Sequence, residues 1–184
     1  STILRIASGL IQAESGSVEI SIAKEPSRRR RALVFQDGRL MPWRTVAQNI
    51  ALGLEGLALS EAEKTRRIAD VLALVNLSDM ADRWPHQLSG GQVQRIGIAR
   101  ALAVKPDVLL MDEPFSAVDA MTRRHLQTEL VRIWQQSGTA IIFVTHDIDE
   151  AAFLADRIIV MGDSPARIVN ETIVPVDRDL RRDS

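Results

Sequence analysis

The chain has 184 residues, no cysteine, 23 basic against 24 acidic side chains and a formal net charge of −1. That length can bury the core of one domain, and the missing cysteines exclude disulfides and thiolate zinc sites. The near-zero charge gives no reason to expect nucleic acid as a partner, and no apolar run approaches the ~20 residues a helix needs to cross a bilayer, so any membrane role is expected from the side.

Ser1-Thr2 opens an aliphatic run, Ile3, Leu4, Ile6, Ala7 and Leu10, with helical spacing. Glu14-Ser15-Gly16-Ser17 is a turn, and Val18, Ile20 and Ile22 alternate with polar residues, which predicts an exposed strand. Arg28 to Arg31 form a run of positive charge. Such a run suits a phosphate backbone, but in a chain this close to neutral it is expected to be a solvated loop. Ala32-Leu33-Val34-Phe35 reads as a short strand ending in Gln36-Asp37. The loop Leu40-Met41-Pro42-Trp43-Arg44-Thr45 then leads to a helix through Asn49-Ile50, with Trp43 suited either to burial or to surface contact.

Ser60 and Glu63 have the spacing of a capping box, and Ile68, Val71, Leu72 and Val75 follow on one helix face. Pro85 predicts a break before Leu88. His86, with no partner at a ligating spacing, is expected to be solvated or packed. Ser89-Gly90-Gly91-Gln92 precedes a helical run through Val93, Ile96, Gly97 and Ala101. Two glycines and a hydroxyl then stand at a helix N-terminus, where unpaired N–H groups favour an anion; alone, the same residues describe an ordinary capped helix. Val108-Leu109-Leu110-Met111 is a continuous apolar run, the pattern of a strand buried on both faces of a parallel sheet, and it ends in Asp112-Glu113. Of two such carboxylates, one can help hold a hard cation such as Mg²⁺ and the other can polarise a water; alone, the pair also fits a solvated loop start. Leu126, Leu130, Ile133 and Trp134 mark a helix face stopped by Ser137-Gly138. Ala140 to Val144 is expected to be another buried strand, with Thr145-His146-Asp147 at its end. Ile148 to Ala155 reads as a short helix, and Arg157 to Met161 and Arg167 to Val174 as strands.

Taken together, Leu88-Ser89-Gly90-Gly91-Gln92, the strand ending in Asp112-Glu113, and Ser116 to Asp119 resemble the signature motif, second Walker motif and D-loop of the ATP-binding-cassette (ABC) ATPases, in that family's order. Phe35-Gln36 resembles the Q-loop and Thr145-His146-Asp147 the H-loop. Leu40-Met41-Pro42-Trp43 with the downstream Asn49-Ile50-Ala51-Leu52-Gly53-Leu54 is similar to the ATPases of nitrate, taurine and alkanesulfonate importers. Ser1-Thr2 matches the end of a P-loop whose glycines and lysine are not in the chain.

The resemblance implies an α/β, P-loop NTPase-like cassette with a mostly parallel sheet, missing the first strands and the P-loop, and spanning 1–184 with a helical subdomain over about 45–103. It implies an ATP-hydrolysing subunit that powers a membrane importer for sulfonate, taurine or nitrate, with ATP and Mg²⁺ as cofactors. Glu113, His146 and Gln36 would be catalytic; Ser1, Thr2, Ser89, Gly90, Gly91, Gln92 and Asp119 would bind nucleotide; Ser1, Gln36 and Asp112 would serve the metal. The implied partners are a second cassette, identical in a homodimer, a transmembrane permease and, indirectly, an extracytoplasmic binding protein, at the cytoplasmic face of a bacterial inner membrane. Two other readings stand beside this one: a cassette protein acting on nucleic acid, and an interaction subunit without nucleotide chemistry. The chain as given, lacking the main phosphate contacts, is expected to be inactive alone.

Overall fold

The computed structural model describes residues 2–20, 25–35, 38–116, 119–163 and 165–175. They form two compact units, Ser1–Val144 and Thr145–Ser184.

The first unit is built on a three-stranded parallel sheet of β1 (Arg31–Val34), β2 (Val108–Asp112) and β3 (Ala140–Val144), in that order. Leu33 pairs with Leu110, and Leu110 with Ile142. Parallel strands need long crossovers, and here helices supply them. β2 is central, and Leu109, Leu110 and Met111 are buried, as its unbroken apolar run predicts. β3 differs from expectation: Ala140 is exposed and Ile142 is 46% exposed. Among the described residues β3 pairs only with β2, and an apolar run identifies a strand without saying how far each face is covered. Because the strands are parallel, their C-terminal residues Val34, Asp112 and Val144 share one edge of the sheet. That is the edge at which open α/β sheets hold ligands.

Among the described residues five helices accompany the sheet: α1 (Thr2–Ser8), α2 (Val46–Leu54), α3 (Glu61–Leu74), α4 (Gly90–Ala103) and α5 (Ala120–Ser137). Residues 46–103 hold α2, α3 and α4 with two short 3₁₀ turns and no strand. α2 and α4 approach closely enough that a Cβ on Gly53 would meet the Arg100 carbonyl at 3.0 Å. Thr45 and Gln48 form a full capping box at α2. At α3 only half the expected box forms: Ser60 accepts from the Glu63 N–H at 3.2 Å, while the Glu63 carboxylate turns to Arg67 at 3.0 Å and to Arg66. Arg67 is buried, so it competes better for that carboxylate than an exposed backbone N–H does. α5 ends at Gly138, whose φ of 64° is the left-handed stop that its Ser-Gly sequence predicts.

Two further expectations for the first unit need correction. Val18 to Ile20 form no strand, and Ile22 lies outside the described residues. The basic run is not simply a solvated loop. Arg28 donates to the Lys105 carbonyl at 3.0 Å and to Asp107 at 2.9 Å, Arg29 to the Glu55 carbonyl at 2.7 Å, and Arg31 to the Ala7 carbonyl at 2.7 Å. Those carbonyls lie at or just past the C-terminal ends of α4, α2 and α1, where unpaired acceptors and the negative end of the macrodipole favour cations. The run joins three helix ends.

The second unit holds α6 (Ile148–Leu154) and an antiparallel pair, β4 (Arg157–Gly162) with β5 (Arg167–Ile173), irregular between Val160 and Met161. Among the described residues no helix is long and apolar enough to cross a membrane.

Candidate functional site

At the C-terminal end of β2 the chain is held by more than its strand. Asp112 still pairs in register with Val144. Glu113 then turns sharply, with φ at 44°, a left-handed conformation that disfavours a residue with a Cβ. Three hydrogen bonds hold it there: its N–H donates to the Val144 carbonyl at 2.9 Å, while its carbonyl accepts from the Ser116 hydroxyl at 3.0 Å and from the Ser116 N–H at 3.3 Å. Beneath it Phe115 is fully buried, with its ring 5.8 Å from that of Phe143. Strained backbone of this kind persists where the surroundings over-determine it, and it gathers at functional sites.

The second feature is the N-terminus of α4. Ser89 caps it, accepting from the Gln92 N–H at 3.3 Å, and the Gln92 side chain accepts from the Ser89 N–H at 2.8 Å. Gln92 thus has a local capping role beside the nucleotide contact implied for it. A Cβ on Gly90 would meet nothing within 4 Å, so that backbone is open to an approaching group. Gly91 is buried against Thr122 of α5. Asp119 caps α5 by accepting from the Thr122 N–H at 3.1 Å, and its bonds to the Thr122 side chain and backbone hold its carboxyl below the usual carboxylate range.

Below that turn, α4 carries the segment that follows Gln36. Gly38 has φ of 65°, and a Cβ there would meet the Val93 carbonyl at 3.0 Å. Gly97 comes equally near from the other side, its Cβ position 3.2 Å from the Gly38 Cα, and Arg100 donates to the Gly38 and Arg39 carbonyls at 2.7 and 2.8 Å. Further on, the buried Asn49 side chain accepts from the Met41 N–H and donates to the Met41, Arg44 and Thr45 carbonyls. The loop so held presents Trp43 at 69% exposure, which resolves its sequence ambiguity toward the surface.

In the second unit, the Thr145 hydroxyl donates to Glu150 at 2.6 Å and accepts from the Asp147 N–H at 3.0 Å, and Asp147 caps α6 through the Asp149 and Glu150 N–H groups. His146 is exposed between these two anchored neighbours.

Of the residues singled out from sequence, Asp112 with Glu113, Ser89 to Gln92, and Gly91 with Asp119 through Thr122 are brought together. Thr2 is exposed at the start of α1. Ser1 and Gln36 lie outside the described residues. His86 is exposed, and no group of three His, Cys, Asp or Glu side chains among the described residues is arranged to hold a metal. Sequence reasoning missed Thr122, and it named Asn49 and Ser116 only within motifs, without the loop-holding roles they take here. Thr122 had a legible signal, since an Asp-x-x-Thr spacing at a helix start is a cap; the other two act through loop geometry that no local pattern marks.

A parallel sheet with paired carboxylates at the end of its central strand, and a glycine-rich capped helix preceding that strand, defines an α/β domain with a sheet edge of the kind that holds ligands. The family described as ABC transporter matches residues 1–116. The chain is 48% identical to the taurine import ATP-binding protein TauB of Pseudomonas aeruginosa, over 96% of this chain and 67% of that protein. It is 42% identical to the nitrate import ATP-binding protein NrtD of Synechococcus elongatus, over 100% and 69%, and 43% identical to the bicarbonate transport ATP-binding protein CmpD of a Synechocystis species, over 100% and 66%. Among solved structures, the ATP-binding cassette MJ0796, a dimer bound to ADP and Pi after hydrolysis, aligns with TM-score 0.75 and 30% identity, covering 96% of this chain and 81% of that one. CbiO1 of Clostridium perfringens, part of the CbiONQ transporter complex, aligns at 0.80 and 27%, covering 94% and 72%. The chain spans about two thirds of the length of these import relatives. It belongs to the ABC transporter family and is one of that family's ATP-hydrolysing, ATP-binding import subunits.

Proposed function

We propose that this chain is the engine of an importer for a small oxyanion, with taurine or another sulfonate as first choice and nitrate next. The observation that carries the chemistry is Glu113, pinned in a strained turn beyond the central strand beside Asp112. In this reading Glu113 orients the attacking water and accepts its proton, while Gln36 and His146 contact the water and the terminal phosphate. A hydroxyl, an amide oxygen and a carboxylate, from Ser1, Gln36 and Asp112, are hard oxygen donors that suit Mg²⁺. When bound, that ion supplies neutralisation of the charge on the phosphoryl oxygens.

The two phosphate-handling features belong to opposite partners of a head-to-tail dimer. Ser89 and Gly91 of one copy meet the terminal phosphate held against the P-loop end and β2 tip of the other. ATP then favours the closed dimer and its hydrolysis products the open one, which is the differential binding needed to shift an equilibrium. The cassette works from the cytoplasmic face of a bacterial inner membrane, against a permease that receives cargo from an extracytoplasmic binding protein. What supports the importer class is the identity to taurine, nitrate and bicarbonate relatives. The cargo is read from those relatives, because the cassette does not itself touch it.

The test is Glu113→Gln in the full-length protein. Turnover should fall by about 10²- to 10⁴-fold while ATP-driven dimerisation persists. Hydrolysis at a near-normal rate would remove Glu113 from the role of base.

A further inference from the structure

The Ser89–Gly91 turn and Asp119 are at least 28 residues apart in sequence, and one side chain joins them. The Thr122 methyl, Cγ2, lies 3.1 Å from where a Cβ on Gly91 would stand. On its other side Thr122 donates from its backbone N–H to the Asp119 carboxylate at 3.1 Å, and its side chain helps hold that carboxyl below the usual range. Gly91 has no positive φ, so what demands a glycine here is space rather than backbone freedom. Its neighbour Gly90 meets nothing within 4 Å. The two glycines therefore do different work: Gly90 leaves the turn open outward, and Gly91 lets α4 close onto α5.

We infer that Thr122 is a positioning residue that locks the Ser89–Gly91 turn to the Asp119 turn, so that the N-terminal ends of α4 and α5 respond to a bound phosphate as one body. The inference rests on the reading of Ser89 to Gly91 as a phosphate contact. It adds that the contact is communicated inside the same copy, across the Thr122 side chain, to the Asp119 turn. A capping threonine with a purely local role would steady α5 and leave α4 indifferent to it.

A double-mutant cycle in the full-length protein separates these cases. Ser89→Ala, Asp119→Ala and their combination are made with Thr122 present and again with Thr122→Ala, and the ATP concentration for half-maximal hydrolysis and for dimerisation is read for each. With Thr122 present, the combined effect should depart from the product of the single effects by about threefold or more, as for coupled residues, and in the Thr122→Ala background the effects should multiply as for independent ones. Thr122→Ser, which keeps the hydroxyl, and Thr122→Val, which keeps the methyl packing, perturb the fold less and should each retain part of the coupling. Coupling of equal size in both backgrounds, or absent from both, overturns the role of Thr122. Failure of the underlying phosphate reading looks different: Ser89→Arg alone, in the Thr122 protein, would leave the ATP response unchanged.

Discussion

The turn at Ser89 to Gly91 and the tip at Asp112 to Ser116 both handle phosphate chemistry in the proposed reaction, and they are constructed by opposite means. The first is capped locally: its cap bonds span three residues and its backbone has no positive φ, although Gly91 also packs on Thr122 of α5. The second is long-range: the Glu113 N–H reaches the end of β3, 31 residues on, and its backbone takes a conformation that a residue with a Cβ resists. The contrast teaches that phosphate recognition can be built from helix-terminal geometry any sequence can carry, whereas placing a base to within hydrogen-bonding precision draws on strain that the surrounding fold must hold.

The sharpest way to break this comparison is Glu113→Gly. If the tip is strained as described, glycine should remove about 1–2 kcal/mol of left-handed strain and raise the melting temperature while turnover falls by about 10²-fold or more. A variant that is both inactive and less stable would mean that the tip is held without strain. Next in size, Ser89→Ala should lower stability by about 1 kcal/mol, the ordinary worth of a cap, measured by denaturant unfolding; a loss several times larger would show that the Ser89 hydroxyl does more than cap α4. The smallest effect concerns pH. The Asp119 carboxyl is held below its usual range by Thr122, so its contribution is present above the ordinary carboxylate value of about 4 and is lost as pH falls through the lowered one. The melting-temperature difference between the protein and Asp119→Asn should therefore shrink on acidification below that value, and a constant difference would deny the carboxylate its role.

Legibility followed the same division. The cap at Ser89, the stop at Gly138 and the buried run of β2 were read directly, because each depends on neighbours within a few residues or on an unbroken apolar pattern, whereas the capping box at Thr45 emerged only with the structure. At α3 the same kind of reading was half right, since Arg67 draws the Glu63 carboxylate away from the cap. The strand expected over Val18, Ile20 and Ile22, absent from its described part up to Ile20, and the solvated reading of Arg28 to Arg31 failed for one reason. A short alternating pattern and a charge run are both decided by what lies opposite, and for the arginines that proved to be three helix ends. Asn49, fully buried, gave no local sign that it would order the loop presenting Trp43.

By itself the sequence determined the order of the chemical groups: a capped glycine turn, then a buried strand, then two carboxylates, with a strand-terminal histidine further on. Hydrophobic period and cap chemistry are short-range properties, and they survive in one dimension. Only the tertiary structure decided that Glu113 would be bent into the left-handed region, that Gly91 and Gly97 would be sites of close approach, and that Thr122 would stand between two turns. Those outcomes depend on which surfaces meet, and contact between distant segments is set by the packing of the whole unit.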